Sequence, residues 1–216
     1  MVSARPAVQE LPAYRPGRNP ADLAREIGVE RAVKLASNEV AFPPLPAVVE
    51  ALAAAAAETN RYPDNGAVVL TAALAERYGV DPAQVVTGCG AVRLCQQLAQ
   101  SFNDPGTSIA FAWRSFEMYP LLAQVAGARA VMDPLRPGRD GGPADTHDLE
   151  GLAAAVDDTT RLVWVCNPNN PTGTAVRRAA VRAIEQLPSA RGASTAEPSL
   201  SREFVNAIGE AELIAQ

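Results

Sequence analysis

The sequence predicts an α/β fold, a mainly parallel sheet flanked by helices, on three observations. Short β-rich runs, "SIAFAW" (108–113), "ARAVMD" (128–133) and "RLVWVC" (161–166), alternate with helical stretches over Val92–Phe102, Phe116–Ala126 and Asp148–Val156. "RLVWVC" is apolar at nearly every position, which fits a strand buried on both faces. Glycine- and asparagine-rich motifs follow two β-rich runs directly, at the carboxyl ends where open α/β sheets bind ligands.

Each element has a local cause. Residues 1–32 are rich in proline and polar residues and predict an extended arm, with a short helix near Ala21–Ile27. "PLPAVVEALAAAAAETN" predicts a helix from about Pro46, with proline in its first turn and alanine inside. "RYPDNG" is a turn cluster, and "VVLTAALAERYG" a second helix closed by Gly79. "QVVTG" (84–88) predicts a further strand. "PGRDGGPADTHD" is a surface loop by composition, with Asp145 or Thr146 capping the next helix. A helix follows at Arg177–Leu187, after which "PSARGASTAEPSLS" has neither an aliphatic run nor alternation. The final "REFVNAIGEAELIAQ" allows one short helix at most.

Composition narrows the function. The chain has 216 residues, 48% hydrophobic and 20% charged, which are globular values. A net charge of −5 and a pI near 5.0 argue against a nucleic-acid or anionic-membrane footprint. The longest apolar run, Ala51–Ala57, is far too short to span a membrane, and Met1–Glu10 has no signal pattern. Three cysteines and one histidine make a disulfide scaffold or a metal site improbable, and the cytoplasm is the expected setting. Lys34 is the only lysine.

Three motifs carry chemistry. The strongest is Asn167-Pro168-Asn169-Asn170-Pro171-Thr172-Gly173. Its prolines stiffen the loop and its amides supply donors and acceptors, although the same residue types also make ordinary turns. Thr87-Gly88-Cys89-Gly90-Ala91-Val92 opens a helix, where small residues let backbone N–H groups approach an anion. It lacks the full GxGxxG and P-loop patterns, and any tight strand–helix turn favours glycine. Trp113-Arg114-Ser115-Phe116-Glu117-Met118-Tyr119 follows "SIAFA"; an aromatic there can stack on a planar ligand or simply fill the core.

Together "KLASNEV", "RYPDNG", "TGCGAVRLCQQL", "AWRSFEMYP" and "NPNNPTG" resemble, in order and spacing over roughly residues 5–187, the fold type I pyridoxal-phosphate aminotransferases. The branch resembled is that of the histidinol-phosphate and aromatic amino acid aminotransferases. The resemblance implies the large domain of that fold, pyridoxal 5′-phosphate as cofactor, an amino acid and a 2-oxo acid as substrates, and a homodimer. It implies that Cys89, Gly90, Ala91 and Val92 present N–H groups to the cofactor phosphate. Phe116 would stack on the pyridine ring and Asn170 would hydrogen-bond its phenolic oxygen. Tyr62 would reach the phosphate of the neighbouring subunit's cofactor, and Lys34–Val40 would lie near the substrate entrance. The organisation expected is an arm and entrance segment at 1–45, a partial cofactor-binding large domain at 46–187 and a divergent tail at 188–216.

The sequence also departs from the family. Members run well over three hundred residues and carry a strand ending in D-E-A-Y after this point. Here Pro198, Ser199, Leu200 and Ser201 precede "REFV", so its aspartate and tyrosine are absent. The stretch reads as a disrupted or frame-shifted coding segment. The Schiff-base lysine, the phosphate-binding and carboxylate-binding arginines and the small domain have no counterparts. Arginine stays protonated and cannot replace the amine. The expectation is therefore a truncated, inactive aminotransferase with weak or absent cofactor binding and no catalytic residue of its own. The alternatives are a non-catalytic binding or dimerisation module and a fragment of a related threonine-phosphate decarboxylase. The resemblance further implies an incomplete sheet: two absent strands between "QVVTG" and "RLVWVC", and the D-E-A-Y strand between "RLVWVC" and "SIAFAW".

Overall fold

The computed structural model describes residues 2–12, 17–137 and 145–176. The chain divides into two units, Pro12–Asn65 and Met1–Leu11 with Gly66–Gln216.

The second of these holds the sheet. Three parallel strands, β1 (Ser108–Trp113), β2 (Arg129–Pro134) and β3 (Thr160–Trp164), lie in the order β2-β1-β3. Phe111 is level with Met132 on one side and with Trp164 on the other. β1 is central and buried from Ser108 to Ala112. Its pleat divides its side chains between two faces. Ile109 and Phe111 enter a cluster with Tyr119, Leu122, Ala123 and Trp164, while Ala110 and Ala112 fall on the other face.

Helices cover both faces. α5 (Ala91–Phe102) and α6 (Met118–Ala126) pack together, α6 against β1 and α5 against β3, and α7 (Leu149–Ala154) packs on β1. β1-α6-β2 and β2-α7-β3 step across the sheet in opposite directions. Right-handed crossovers, the near-universal hand, therefore put α6 and α7 on opposite faces. The small Ala110 and Ala112 fit the close approach of α7, whose Leu152 is fully buried. Gly127, at φ 84°, ends α6 in the left-handed conformation that glycine adopts freely. α4 (Val68–Tyr78) closes at Gly79, as its sequence predicts.

In the unit Pro12–Asn65, α2 (Pro20–Ile27) is capped by the Asn19 side chain, which accepts from the Ala21 N–H, and α3 spans Pro46–Ala56. No residue of α3 is buried.

Four expectations need correction. Residues 84–88 form no strand: a 3₁₀ turn, Pro82–Gln84, leads into extended backbone at Val85 that pairs with nothing among the described residues. β-propensity alone supplies no ladder partner. The absent D-E-A-Y strand leaves no gap between β3 and β1, which are direct hydrogen-bonded neighbours. The cap of α7 is Asp148, whose carboxylate accepts from Gly151 N–H at 2.8 Å, instead of Asp145 or Thr146. The N-terminal arm contains a short helix, α1 (Pro6–Gln9), which packs on α6, with the Gln124 side chain donating to the Ala7 carbonyl. The expectations for Arg177–Leu187 and for the tail lie outside the described residues.

Candidate functional site

The site is assembled at the carboxyl edge of the sheet. β1 and β3 run parallel side by side, so the segments after Trp113 and Trp164 leave at the same end. α5 reaches that end from outside the sheet. Its last residue, Phe102, is joined to β1 by only five residues, folded tightly by Asn103, Asp104 and Thr107. A helix of twelve residues is about 18 Å long and a strand of six about 20 Å, so α5 spans β1 in reverse and starts level with its end. Cys95, one turn into α5, lies close enough to Cys166 for the two thiols to interact, and both pack on the same apolar cluster. Burial and that neighbour push the Cys95 thiol above its ordinary range.

The turn before α5 is built around two glycines. Gly90 adopts φ 81° and ψ 164°, a conformation reserved almost entirely for glycine. Gly88 answers a different demand: a Cβ there would sit 2.9 Å from Leu94 Cδ2. Ala91 and Val92 are the first helical residues, so their N–H groups have no carbonyl of α5 to reach. The Gly90 N–H already donates to the Gly88 carbonyl at 2.8 Å, which removes it from the predicted set of free donors. Cys89 is exposed.

Phe116 is half-buried against the core cluster. Its ring meets Tyr119 edge-on with centroids 5.5 Å apart, and Tyr119 in turn lies 4.7 Å from Trp164. Arg114 stacks over Trp113 at 5.1 Å and pairs with Glu117 at 3.3 Å.

The loop after β3 is held from three sides. Asn167 clasps Val176, accepting from its N–H at 3.0 Å and donating to its carbonyl at 3.2 Å. His147 Nε2 meets the Cys166 carbonyl at 2.7 Å, and burial holds the His147 imidazole below its ordinary pKa. Asn169 is buried and takes a hydrogen bond from the Ser115 hydroxyl at 2.7 Å. Asn170 is half-buried, and its side-chain amide makes no hydrogen bond among the described residues. A polar amide free at the edge of a packed loop is an available donor and acceptor.

The structure thus brings Cys89–Val92, Phe116 and Asn170 to one end of one sheet. Tyr62 and Lys34 belong to the other unit. Tyr62 is fully exposed, and Lys34 pairs with Glu39 at 2.5 Å. Ser115 and Asn169 are the residues that sequence reasoning did not single out. Each touches a partner more than fifty positions away, and local pattern carries no sign of it.

Comparison with known proteins decides the family. Residues 30–194 match aminotransferase class I and II. The chain belongs to that family. It is 53% identical over 174 residues to an aromatic amino acid aminotransferase of Thermobifida fusca, covering 80% of this chain and 45% of that protein. Identity to the aromatic amino acid aminotransferase of Streptomyces coelicolor is 47% over 186 residues, 86% of this chain and 49% of that one. Among solved structures, the histidinol-phosphate aminotransferase of Sinorhizobium meliloti in complex with pyridoxal-5′-phosphate superposes with a TM-score of 0.73 at 30% identity. That superposition covers 87% of this chain and 48% of the other. The chain spans about half the length of the curated relatives it matches. The fold is that of the fold type I aminotransferases, and pyridoxal phosphate is the cofactor of this family. No helix among the described residues is long and apolar enough to cross a membrane.

Proposed function

We propose that these 216 residues carry the phosphate- and ring-binding half of a pyridoxal 5′-phosphate pocket, from an aminotransferase acting on aromatic amino acids or histidinol phosphate. The observation that carries this reading is the shared edge: helix N–H groups at Ala91 and Val92 and a side-chain amide at Asn170 that have no partner among the described residues, beside the backed ring of Phe116. The residues fit the cofactor at its phosphate and ring. At the amine end, Lys34 is the only lysine of these 216 residues, and its ammonium is paired with Glu39.

When bound, the cofactor supplies an electron sink for chemistry at an amino acid's α-carbon. The chain's own contribution is binding and orientation. Cys89, Ala91 and Val92 direct N–H groups at the phosphate, where the α5 dipole favours negative charge. Phe116 covers one face of the ring and excludes water from it. Asn170 donates to the phenolic oxygen. Tyr62 serves the site of a second copy in a homodimer. These residues bind the cofactor without covalent attachment and do not turn over substrate. The setting is the cytoplasm.

Pyridoxamine 5′-phosphate tests this cleanly, since it has no aldehyde to label Lys34 or the terminal amine. Saturable binding lost in Phe116→Ala and Asn170→Ala is expected, with no transamination of phenylalanine or histidinol phosphate in the presence of pyridoxal phosphate. Absence of binding at millimolar ligand, or turnover surviving Asn170→Ala, sinks the reading.

A second reading, a dimerisation module, is favoured by one observation. α3 buries nothing within its own unit and exposes Val48, Val49 and Leu52, an apolar surface of the kind that marks interaction sites. Sedimentation separates the readings: a dimer that binds no pyridoxamine phosphate supports this one alone.

A further inference from the structure

One side-chain network ties together the two loops at the carboxyl edge of the sheet. Ser115 and Asn169 are both almost fully buried, at 1% and 2% exposure. The Ser115 hydroxyl donates to Asn169 Oδ1 at 2.7 Å. Asn169 Nδ2 donates to the Arg114 carbonyl at 3.2 Å and to Thr172 Oγ1 at 2.9 Å. The Asn169 main chain is engaged as well: its N–H donates to Thr174 O at 2.8 Å and its carbonyl accepts from Gly173 N–H at 2.7 Å. The orientation of the amide follows from its partners. Turned over, Oδ1 would face the Arg114 carbonyl, two acceptors with no proton between them.

The contrast with the next residue in each loop is informative. Asn169 has both its main chain and its side chain anchored, whereas the side-chain amide of Asn170 beside it has no partner among the described residues. Ser115 is anchored to the opposite loop, and Phe116 beside it presents a half-buried ring. Each anchored residue therefore precedes one that faces the proposed pocket. A buried, fully satisfied polar network between two loops has one low-energy arrangement, because any slip leaves donors or acceptors unmet.

We propose that Ser115 and Asn169 are positioning residues: their hydrogen bond sets the spacing between Phe116 and Asn170, so that a pyridine ring is stacked and its phenolic oxygen bonded simultaneously. The proposal rests on the cofactor-pocket reading. It assigns the pair no contact with the cofactor and no part in binding the phosphate, which belongs to the start of α5.

Two probes separate positioning from a purely structural role. Pyridoxamine 5′-phosphate engages ring and phosphate sites together, whereas inorganic phosphate engages only the phosphate site. With the full chain, Ser115→Ala is expected to weaken pyridoxamine phosphate about tenfold, the effect of one lost hydrogen bond. Affinity for inorganic phosphate should stay within about twofold. Thr172→Ala, at an exposed residue, removes one Asn169 partner and should weaken pyridoxamine phosphate about threefold with the same selectivity. It carries the comparison if Ser115→Ala does not fold by far-ultraviolet circular dichroism. Equal losses for both probes, or wild-type affinity for pyridoxamine phosphate in the folded variants, overturn the positioning role. A wild-type chain that binds phosphate but not pyridoxamine phosphate instead sinks the pocket reading, and this proposal with it.

Discussion

Gly90→Ala measures what the turn before α5 contributes, because the substitution has a single cost. An added Cβ would meet no atom within 4 Å, so no steric clash accompanies the change. What remains is the backbone: at φ 81° and ψ 164° an L-residue is strained by about 1–3 kcal/mol. Against a domain stability of about 5–15 kcal/mol this is readily measured. The chain relieves the strain by turning φ negative, which swings the Cys89–Gly90 peptide and misdirects the N–H groups at the start of α5. Urea unfolding followed by circular dichroism should show a lower midpoint with an unchanged slope. Affinity for inorganic phosphate should fall in the same variant. D-Alanine at position 90, introduced by ligation at Cys89, should restore both properties, since it favours positive φ. An L-alanine variant within about 0.5 kcal/mol of wild type, a change typical of neutral surface substitutions, would refute the reasoning.

Other outcomes follow from the same geometry. Gly88→Ala should cost about 1 kcal/mol through overpacking on Leu94, and less in a Leu94→Ala background, as a double-mutant cycle on urea midpoints would report. The folded-state pKa of His147 lies below histidine's ordinary value of about 6.5, so the unfolded chain takes up the proton first. Stability from this group is complete above about pH 6.5 and declines as pH falls from there through the folded pKa. Burial raises Asp133, which acts in the opposite sense at lower pH, so the wild-type slope should be compared with that of His147→Gln; equal slopes from pH 7 to 5.5 would contradict the assignment. A maleimide followed by peptide mass mapping should modify exposed Cys89 well before Cys95 and Cys166, and pyridoxamine phosphate should protect Cys89.

The sequence was sufficient wherever a short-range pattern sets the structure. Period-2 and apolar runs placed β1, β2 and β3, and the proline and glycine signals at Pro46 and Gly79 bounded α3 and α4 correctly. The order of motifs identified the family, because "NPNNPTG" directly after an apolar run is longer than a generic turn, although that run is not the strand buried on both faces that its composition predicts: only Trp164 of β3 is buried. Local pattern failed where pairing decides. "QVVTG" has strand propensity, but a strand exists only with a neighbour, and none among the described residues pairs with it. The cap of α7 depended on which of several adjacent polar side chains reached Gly151 N–H, which is a matter of backbone direction. The adjacency of β1 and β3 and the Ser115–Asn169 bond were decided by tertiary structure alone. Both join residues about fifty positions apart, and their formation depends on the packing of α5, α6 and α7 around one sheet.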